Sequence, residues 1–303
     1  MQPLRTVTSC LSLASLFGAS VVRADEDPAI TAFESLIKAG NFVEARSALE
    51  TYVADHPQSW QALYQLGYAD FRLHRIQQSL TMLCKSLVLH PKFAESHKIL
   101  GYDLNILGRQ DLAIRELERA IDYDPGSAES HYELGRIYYE KGSYVKAINH
   151  VEKAKSLAPG YVRVYHNLGL AYSAVSDNAT AVENFDAGLR LNAQQSKPSA
   201  WPLIDYATYF NMQNNFDKAR ELLLRAIEIE RSWDQEYGEL AKAYRGLGQT
   251  GEAIDALKQA VVLNPGKAEY HYVLAQLYRQ THQTAQATEQ LAEYEQRKTP
   301  EKK

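Results

Sequence analysis

The sequence predicts an all-α fold, a solenoid built from about eight antiparallel helix pairs. A glycine, an alanine and a proline each recur every 34 residues, and apolar residues lie four apart between them. The residues in register are Gly67, Gly101, Gly135 and Gly169; Ala113, Ala147 and Ala181; and Pro57, Pro91, Pro125 and Pro159. A period of this length is typical of helix-turn-helix arrays, which grow along one axis instead of closing around a single core.

Each repeat is expected to hold two helices joined by a tight turn. In the fourth repeat Leu134 and Tyr138 are four residues apart, as are Ala147 and Val151, so each pair lies on one face of a helix. A glycine between the helices supplies the left-handed conformation in which the first helix ends and the chain reverses. The turn glycines are Gly40, Gly108, Gly142 and Gly248.

The register also sets the expected boundaries. The predicted organisation is a signal peptide at 1–24, repeats at 26–59, 60–93, 94–127, 128–161, 162–195, 200–233, 234–267 and 268–298, and a tail at 299–303. The last repeat includes a C-terminal cap, because Thr288 and Glu295 stand where the seventh repeat has Ile254 and Val261. Four extra residues at 194–197 are expected to change the pitch of the array locally without forming a domain boundary.

Residues 1–24 have the pattern of a secretory signal peptide. Arg5 precedes a mostly apolar stretch at 11–22, and the segment ends on small residues at Ala24. The apolar stretch is shorter than the about 20 residues that span a bilayer, so no membrane span is expected in the mature chain. We expect export to the periplasm or secretion. A mitochondrial transit peptide is the alternative, because the segment contains several serines and no acidic residue.

Composition argues against several classes of function. The net charge is −4 and no long run of Lys or Arg occurs, so nucleic acid is not expected as a partner. Cys10 lies in the leader, which leaves Cys84 alone in the mature chain without an internal disulfide. No phosphate-binding glycine loop, paired-cysteine spacing or His-Glu-x-x-His element is present, so we expect neither a cofactor nor an enzyme. Asn178 begins a glycosylation acceptor triplet that matters only in a eukaryotic secretory pathway.

The repeats resemble the tetratricopeptide repeat family. The residues that carry the resemblance are Leu134-Gly135, Tyr138, Ala147, Ala154 and Pro159 in the fourth repeat, and Leu240, Tyr244, Ala253, Ala260 and Pro265 in the seventh. The likeness covers about residues 26–298. It implies a right-handed superhelical solenoid whose concave groove is lined by the first helices. It also implies a noncatalytic protein-protein interaction scaffold as the function.

The nine histidines raise the question of a metal or acid-base site. His97, His131 and His271 occupy one repeat position, usually a bulky aromatic residue in this family, so we expect them to pack rather than to bind metal. Equivalent positions on adjacent packed helices are roughly 8–10 Å apart, too far for two ligands of one zinc ion. Glu116 and Glu118 are expected to be solvated on the exposed face of a second helix.

An aromatic band with mixed charges beside it is expected on the concave side of the first helices. Its aromatic members are Tyr64, Tyr68, Phe71, Tyr102, Tyr132 and Tyr139, and beside them lie Lys98, Arg136, Arg163, His166 and Asn167, with Glu95, Glu129 and Glu133. Tyrosine gives a large contact area at little cost in rotamer entropy, so we expect an extended peptide or a partner helix to bind here. The rings could instead pad the groove against one another. A carbohydrate-binding or enzyme-accessory module of the cell envelope is the alternative function, because tyrosine also stacks on sugar rings.

One specialised activity of the family is not expected here. Family members that hold the C-terminal carboxylate of a chaperone use two lysines, two asparagines and one arginine from three successive repeats. Lys98 and Arg163 stand at the two lysine positions. Tyr102 and Glu133 replace both asparagines, and Asn167 replaces the arginine. The resemblance therefore does not extend to chaperone-tail binding.

Overall fold

The computed structural model describes residues 27–298 of the chain. Within this span the regular structure consists of 16 helices, and no strand is present. The helices are α1 (Pro28–Lys38), α2 (Phe42–Asp55), α3 (Trp60–Arg72), α4 (Ile76–Leu89), α5 (Ala94–Ile106), α6 (Gln110–Tyr123), α7 (Ala128–Glu140), α8 (Tyr144–Leu157), α9 (Val162–Ala174), α10 (Asn178–Ala193), α11 (Trp201–Met212), α12 (Phe216–Ile229), α13 (Asp234–Gly246), α14 (Thr250–Leu263), α15 (Ala268–Gln280) and α16 (Thr284–Lys298). The signal peptide expected at 1–24, with Cys10, and the tail expected at 299–303 lie outside the described residues. Every described helix is too short or too polar to cross a bilayer.

The chain is an all-α helical repeat solenoid, which confirms the fold class predicted from the sequence. It divides into two compact bodies, Met1–Pro159 and Gly160–Lys303, called the N-terminal and C-terminal bodies below. Within each body, the first helix of a repeat packs on its second helix, and the second helix packs on the next repeat. Each body is therefore a stack of helical hairpins.

The four extra residues at 194–197 lie inside the C-terminal body. The side chain of Asn192 closes the segment that contains them. Its Nδ2 donates to the carbonyl of Ser199 at 2.8 Å, and its Oδ1 accepts from the amide of Ser199 at 3.1 Å. These two bonds satisfy a buried amide and fix the spacing between α10 and the chain that leads into α11. The insertion is thus a closed local loop.

The two helices of a repeat approach each other most closely at the periodic glycines. A Cβ atom added to Gly135 would lie 2.4 Å from Val151 Cγ2 and 3.1 Å from the carbonyl oxygen of Ala147. Ala147 is itself fully buried. A side chain at Gly135 would push the helices apart, because packed interiors accept extra atoms only with strain. The glycine spacing therefore reflects contact between the helices of each hairpin.

The turns between paired helices all contain one residue in the left-handed region. The four glycines predicted for this role have it, with φ of 79° at Gly40, 70° at Gly108, 72° at Gly142 and 74° at Gly248. The other four repeats place His74, Ser176, Asn214 and His282 at the same point, with φ between 57° and 65°. The sequence did not predict these turns, because a non-glycine residue there carries a steric cost that the surrounding packing overcomes.

Gly142→Ala is expected to lower the free energy of unfolding by about 1 kcal/mol, because the added Cβ is strained at positive φ. Gly251→Ala is the matched control. Gly251 also has open space around it but lies inside α14 without positive φ, so alanine there should stabilise the helix by up to about 1 kcal/mol. Urea unfolding of the two variants should move the midpoint in opposite directions. A lower midpoint in both variants would contradict the backbone explanation.

The core of the N-terminal body contains a carboxyl group without a hydrogen-bond partner. Asp103 is completely buried, and neither of its side-chain oxygens has a partner. The hydroxyl of Ser79 on the neighbouring helix α4 is also fully buried and without a hydrogen bond, but it acts on the Asp103 carboxyl and opposes part of the rise in its pKa. Burial raises the pKa of Asp103 to about 7, because a charged carboxylate is disfavoured away from water.

Asp103 should make the protein less stable as the pH rises. Its folded-state pKa lies above the unfolded value, so the folded state binds more protons between about pH 4 and pH 7 and loses stability across that window. Asp103→Asn should therefore raise the melting temperature more at pH 8 than at pH 5. Asp122→Asn, on the exposed face of α6, is the control. Equal gains for Asp103→Asn at both pH values would show that Asp103 is not neutral in the fold at pH 5.

Candidate partner-binding surface

Four of the predicted aromatic residues form one continuous surface in the N-terminal body, called the aromatic surface below. It consists of Tyr64, Tyr68 and Phe71 from α3 and Tyr102 from α5, all half-buried. The ring centroids are 6.3 Å apart for Tyr64 and Tyr68, 6.4 Å for Tyr68 and Phe71, and 5.9 Å for Phe71 and Tyr102. These spacings are those of favourable aromatic pairs. The rings therefore support one another and still present part of their area to a ligand.

Three further residues extend the aromatic surface and were not predicted from the sequence. Phe93 precedes α5 and meets Tyr64 edge-on at 4.8 Å, and Phe42, the first residue of α2, lies 6.4 Å from Tyr68. The guanidinium of Arg72 lies 4.2 Å from the centre of the Phe42 ring and donates to the hydroxyl of Tyr68 at 2.9 Å. Such a cation–π contact contributes about 0.5–1 kcal/mol at an exposed site. A projection of the first helices alone cannot find Phe93, which lies in a loop, or Phe42, which lies on a second helix. Arg72 lies on the first helix α3 but is not aromatic, so a search for rings did not include it.

The remaining two tyrosines of the predicted band lie on α7 and differ in accessibility. Tyr132 is 6% exposed, so little of its ring is available to a ligand. Tyr139 is half-buried, and its ring lies 5.4 Å from that of Tyr144 at the start of α8. The structure thus brings four of the six predicted aromatic residues into the aromatic surface itself.

The two predicted cations of the N-terminal body are both paired with carboxylates. Lys98 Nζ lies 3.0 Å from Glu129 and 4.0 Å from Glu95. Arg136 lies 2.9 Å from Glu133, and its Nη1 also lies 3.2 Å from Glu140. Each of these two cations therefore has an opposite charge beside it, whereas the exposed Arg72 contacts the rings of Phe42 and Tyr68. The rings and the Arg72 guanidinium are thus the groups that this region offers to a partner.

The other three predicted residues belong to α9 in the C-terminal body. Arg163 is exposed, whereas His166 and Asn167 are half-buried. His166 Nε2 lies 3.3 Å from Asp205 Oδ2, and the His166 ring meets Trp201 edge-on at 5.5 Å. Burial lowers the pKa of His166 to about 4 and raises the pKa of Asp205 to about 7. Both shifts favour the neutral forms of the two side chains, so this contact does not provide a positive charge for an anion.

The three histidines at one repeat position are buried, with exposed fractions of 5% for His97, 7% for His131 and 3% for His271. The Nε2–H groups of His97 and His271 donate to the carbonyl of the proline that closes the preceding repeat, and His131 makes a hydrogen bond with the corresponding proline. The pairs are His97 with Pro91 at 2.9 Å, His271 with Pro265 at 3.0 Å, and His131 with Pro125. Between residues 27 and 298, no group of three or more His, Cys, Asp and Glu side chains is placed to hold a metal ion.

The other ring nitrogen of each histidine contacts the second helix of the same repeat. The Nδ1 distances are 2.7 Å from His97 to Glu116, 3.2 Å from His131 to Nδ1 of His150, and 2.8 Å from His271 to Gln290. Glu116 is only 1% exposed and also accepts from Arg119 at 2.8 Å. The expectation that Glu116 is solvated is therefore wrong, because the buried histidine and the arginine supply its partners. Glu118 is exposed, as expected.

A cavity of about 440 Å³ in the C-terminal body was not predicted. Lys242 and Arg245, which line it, occupy the same repeat positions on α13 as Tyr102 on α5 and Phe71 on α3. The 34-residue register therefore contained a signal for this site. The cavity was missed because the predicted site was chosen from positions that hold aromatic residues, whereas the C-terminal body has cations at those positions.

Protein-family models identify the repeats. Models described as TPR repeat or tetratricopeptide repeat match residues 30–88, 101–142, 135–175, 162–195 and 241–281. Together these matches cover more than half of the sequence. The chain belongs to the tetratricopeptide repeat family.

Solved structures of tetratricopeptide repeat proteins are similar to this one. A crystal structure of MamA is 28% identical over 58% of this chain and 99% of its own, with a TM-score of 0.50. PilF from Pseudomonas aeruginosa is 24% identical, covers 72% of this chain and 97% of its own, and has a TM-score of 0.58. A tetratricopeptide repeat protein from Parabacteroides merdae is 16% identical over 82% of this chain and 96% of its own, with a TM-score of 0.65. The latter two show the fold alone. No curated protein matches the sequence.

The histidine pair of the fourth tetratricopeptide repeat should make stability depend on pH. Burial lowers the pKa of both His131 and His150, so the folded state binds fewer protons than the unfolded chain, and stability falls as the pH drops below about 6.5. His150→Gln copies the pair formed by His271 and Gln290 and removes one titrating group. Its loss of unfolding free energy between pH 7 and pH 5 should be smaller than that of the wild type.

Urea unfolding at the two pH values measures this difference. His74→Gln, on an exposed turn of the same body, is the control for removing a histidine. If the His150→Gln protein lost as much stability at pH 5 as the wild type does, the buried pair would not be the group that responds to pH.

Proposed function

We propose that this protein is a noncatalytic interaction scaffold that binds an extended peptide or a helix of a partner protein on the aromatic surface of its N-terminal body. Membership of the tetratricopeptide repeat family supports the general role, because repeat stacks of this type are generally noncatalytic protein-protein interaction scaffolds. The single observation that carries the more specific proposal is the row of four half-buried rings, Tyr64, Tyr68, Phe71 and Tyr102.

The chemistry of the aromatic surface indicates what kind of segment it would bind. The flanking cations Lys98 and Arg136 are paired with glutamates, so the surface offers mainly ring area and tyrosine hydroxyls, together with the single guanidinium of Arg72. Aromatic residues held by neighbouring rings lose little further entropy on binding, which makes them effective anchors. The expected partner segment therefore presents apolar or aromatic side chains, with backbone groups that hydrogen-bond to the hydroxyls.

Export is the proposed setting of this interaction, supported by the leader pattern at 1–24. The mature chain, beginning after Ala24, is the form to use as bait, and the exported protein fraction is the place to search for its partner. Carbohydrate binding by the same rings is an outcome that the experiment below also detects.

Tyr68→Ala combined with Tyr102→Ala should weaken binding of a captured partner at least tenfold, about 1.4 kcal/mol. Both rings belong to the aromatic surface, so their loss removes apolar contact area. Proteins retained by the mature wild-type chain and lost by the double variant are identified and titrated. Tyr123→Ala, which truncates an exposed tyrosine on α6, is the control. Unchanged capture by the double variant, or binding only of glycans, would contradict the proposal.

A further inference from the structure

The C-terminal body contains an open cavity of about 440 Å³, a volume within the range of ligand-binding pockets. It lies among α11, α13 and α15, next to the first residues of α12 and α14. The lining consists of Asn211, Asn214, Phe216, Lys242, Arg245, Gly246, Thr250, Leu277 and Gln280. It combines two cations with three amide side chains and one hydroxyl, and it contains no acidic residue.

The cations of this cavity have fewer acidic neighbours than Lys98 and Arg136 have in the N-terminal body. The side chain of Arg245 is exposed and makes no hydrogen bond or ion pair with the residues described at 27–298. Lys242 has one acidic neighbour, Glu239, at 3.9 Å, and about half of its side chain is exposed. Glu239 is already engaged by the Nδ2 of Asn211 at 2.8 Å. Positive charge is therefore available at the cavity mouth.

A buried acceptor in the lining lacks a partner. Asn211 is 2% exposed, its Nδ2 donates to the carbonyl and the carboxylate of Glu239, and its Oδ1 accepts no hydrogen bond. A buried amide oxygen without a donor carries an energetic cost, because it has lost its hydrogen bonds to water. A ligand that brings an N–H group to Asn211 removes this cost, whereas a simple anion such as phosphate or a dicarboxylate does not.

We propose that this cavity binds an acidic segment of a partner protein, with a carboxylate at Lys242 and Arg245 and a backbone N–H at Asn211. An extended peptide carries both groups within one or two residues, and an arginine guanidinium holds a carboxylate in bidentate fashion. The inference rests on the proposed scaffold function, but it concerns a site with different chemistry in a different body. The aromatic surface takes apolar side chains, and this cavity takes an acidic one.

The test uses a displayed library of random, extended dodecapeptides and the mature wild-type chain. Bound sequences should be enriched in Asp and Glu. Synthetic copies with blocked termini should bind the Lys242→Gln, Arg245→Gln double variant at least tenfold more weakly than the wild type. Lys258→Gln, which removes an exposed lysine of α14 outside the cavity, should bind as the wild type does. Replacing the acidic residue of the peptide by its amide should reproduce the loss seen with the double variant.

Two further measurements separate this site from the aromatic surface. The acidic peptides should bind Tyr68→Ala, Tyr102→Ala protein with unchanged affinity, so a failure of the aromatic surface leaves this result intact. Gln280→Leu retains the cations but removes one lining amide, and should weaken peptide binding while leaving the melting temperature unchanged. The proposal is overturned if acidic peptides bind the double variant normally, or if inorganic phosphate or glutarate binds as tightly as the peptides.

Discussion

The close approach of the two helices within the second to eighth repeats is the constraint on which the rest of the structure depends. A Cβ at Gly67 would lie 2.9 Å from Leu83, at Gly101 2.8 Å from Leu117, and at Gly169 2.7 Å from Phe185. In the last three repeats the same position holds Ala207, Ala241 and Ala275, each at most 1% exposed. A small residue on the first helix lets a large side chain of the second helix fill the interface. The opposite edge of the first helix is then left for residues that need not pack inside the hairpin.

This difference between residues that pack inside the hairpin and residues that do not explains why the fold was predictable. Positions inside the hairpin must be small or apolar in every repeat, so they repeat at 34 residues and reveal the helices, their order and the glycine turns. The turns at His74, Ser176, Asn214 and His282 have the same backbone conformation as the glycine turns. Their conformation follows from the helix pair that they join and not from their own preference. The strain of one such residue, about 1 kcal/mol, is small compared with the free energy gained by burying apolar side chains between the two helices.

The candidate site was only partly predictable, because a helical projection gives the direction of a side chain but not its depth. Tyr64 and Tyr132 occupy the same repeat position, yet Tyr64 is half-buried and edges onto Phe93, whereas Tyr132 is 6% exposed. The neighbours that decide between these outcomes come from loops and adjoining repeats, where the sequence has no strict period. Pairing of Lys98 with Glu129, a residue of the next repeat, was likewise invisible to a search for positive charge.

Some ionisable side chains are buried inside the helical stack, and their partners decide how well the fold accommodates them. Glu116 is buried without difficulty, because His97 from the first helix and Arg119 from its own helix both reach its carboxylate. Asp103 has no such partner, so burial raises its pKa, the charge of Asp70 adds to the rise, and Ser79 opposes only part of it. At the surface, by contrast, residues at equivalent repeat positions differ in chemistry between the two bodies. The positions of Phe71 and Tyr102 in the N-terminal body are occupied by Arg245 and Lys242 in the C-terminal body. Because these positions lie outside the glycine or alanine contact between the two helices of one hairpin, their chemistry can change completely while the hairpin remains intact. One repeat can therefore present an aromatic surface, and another can present a cationic cavity, on the same backbone.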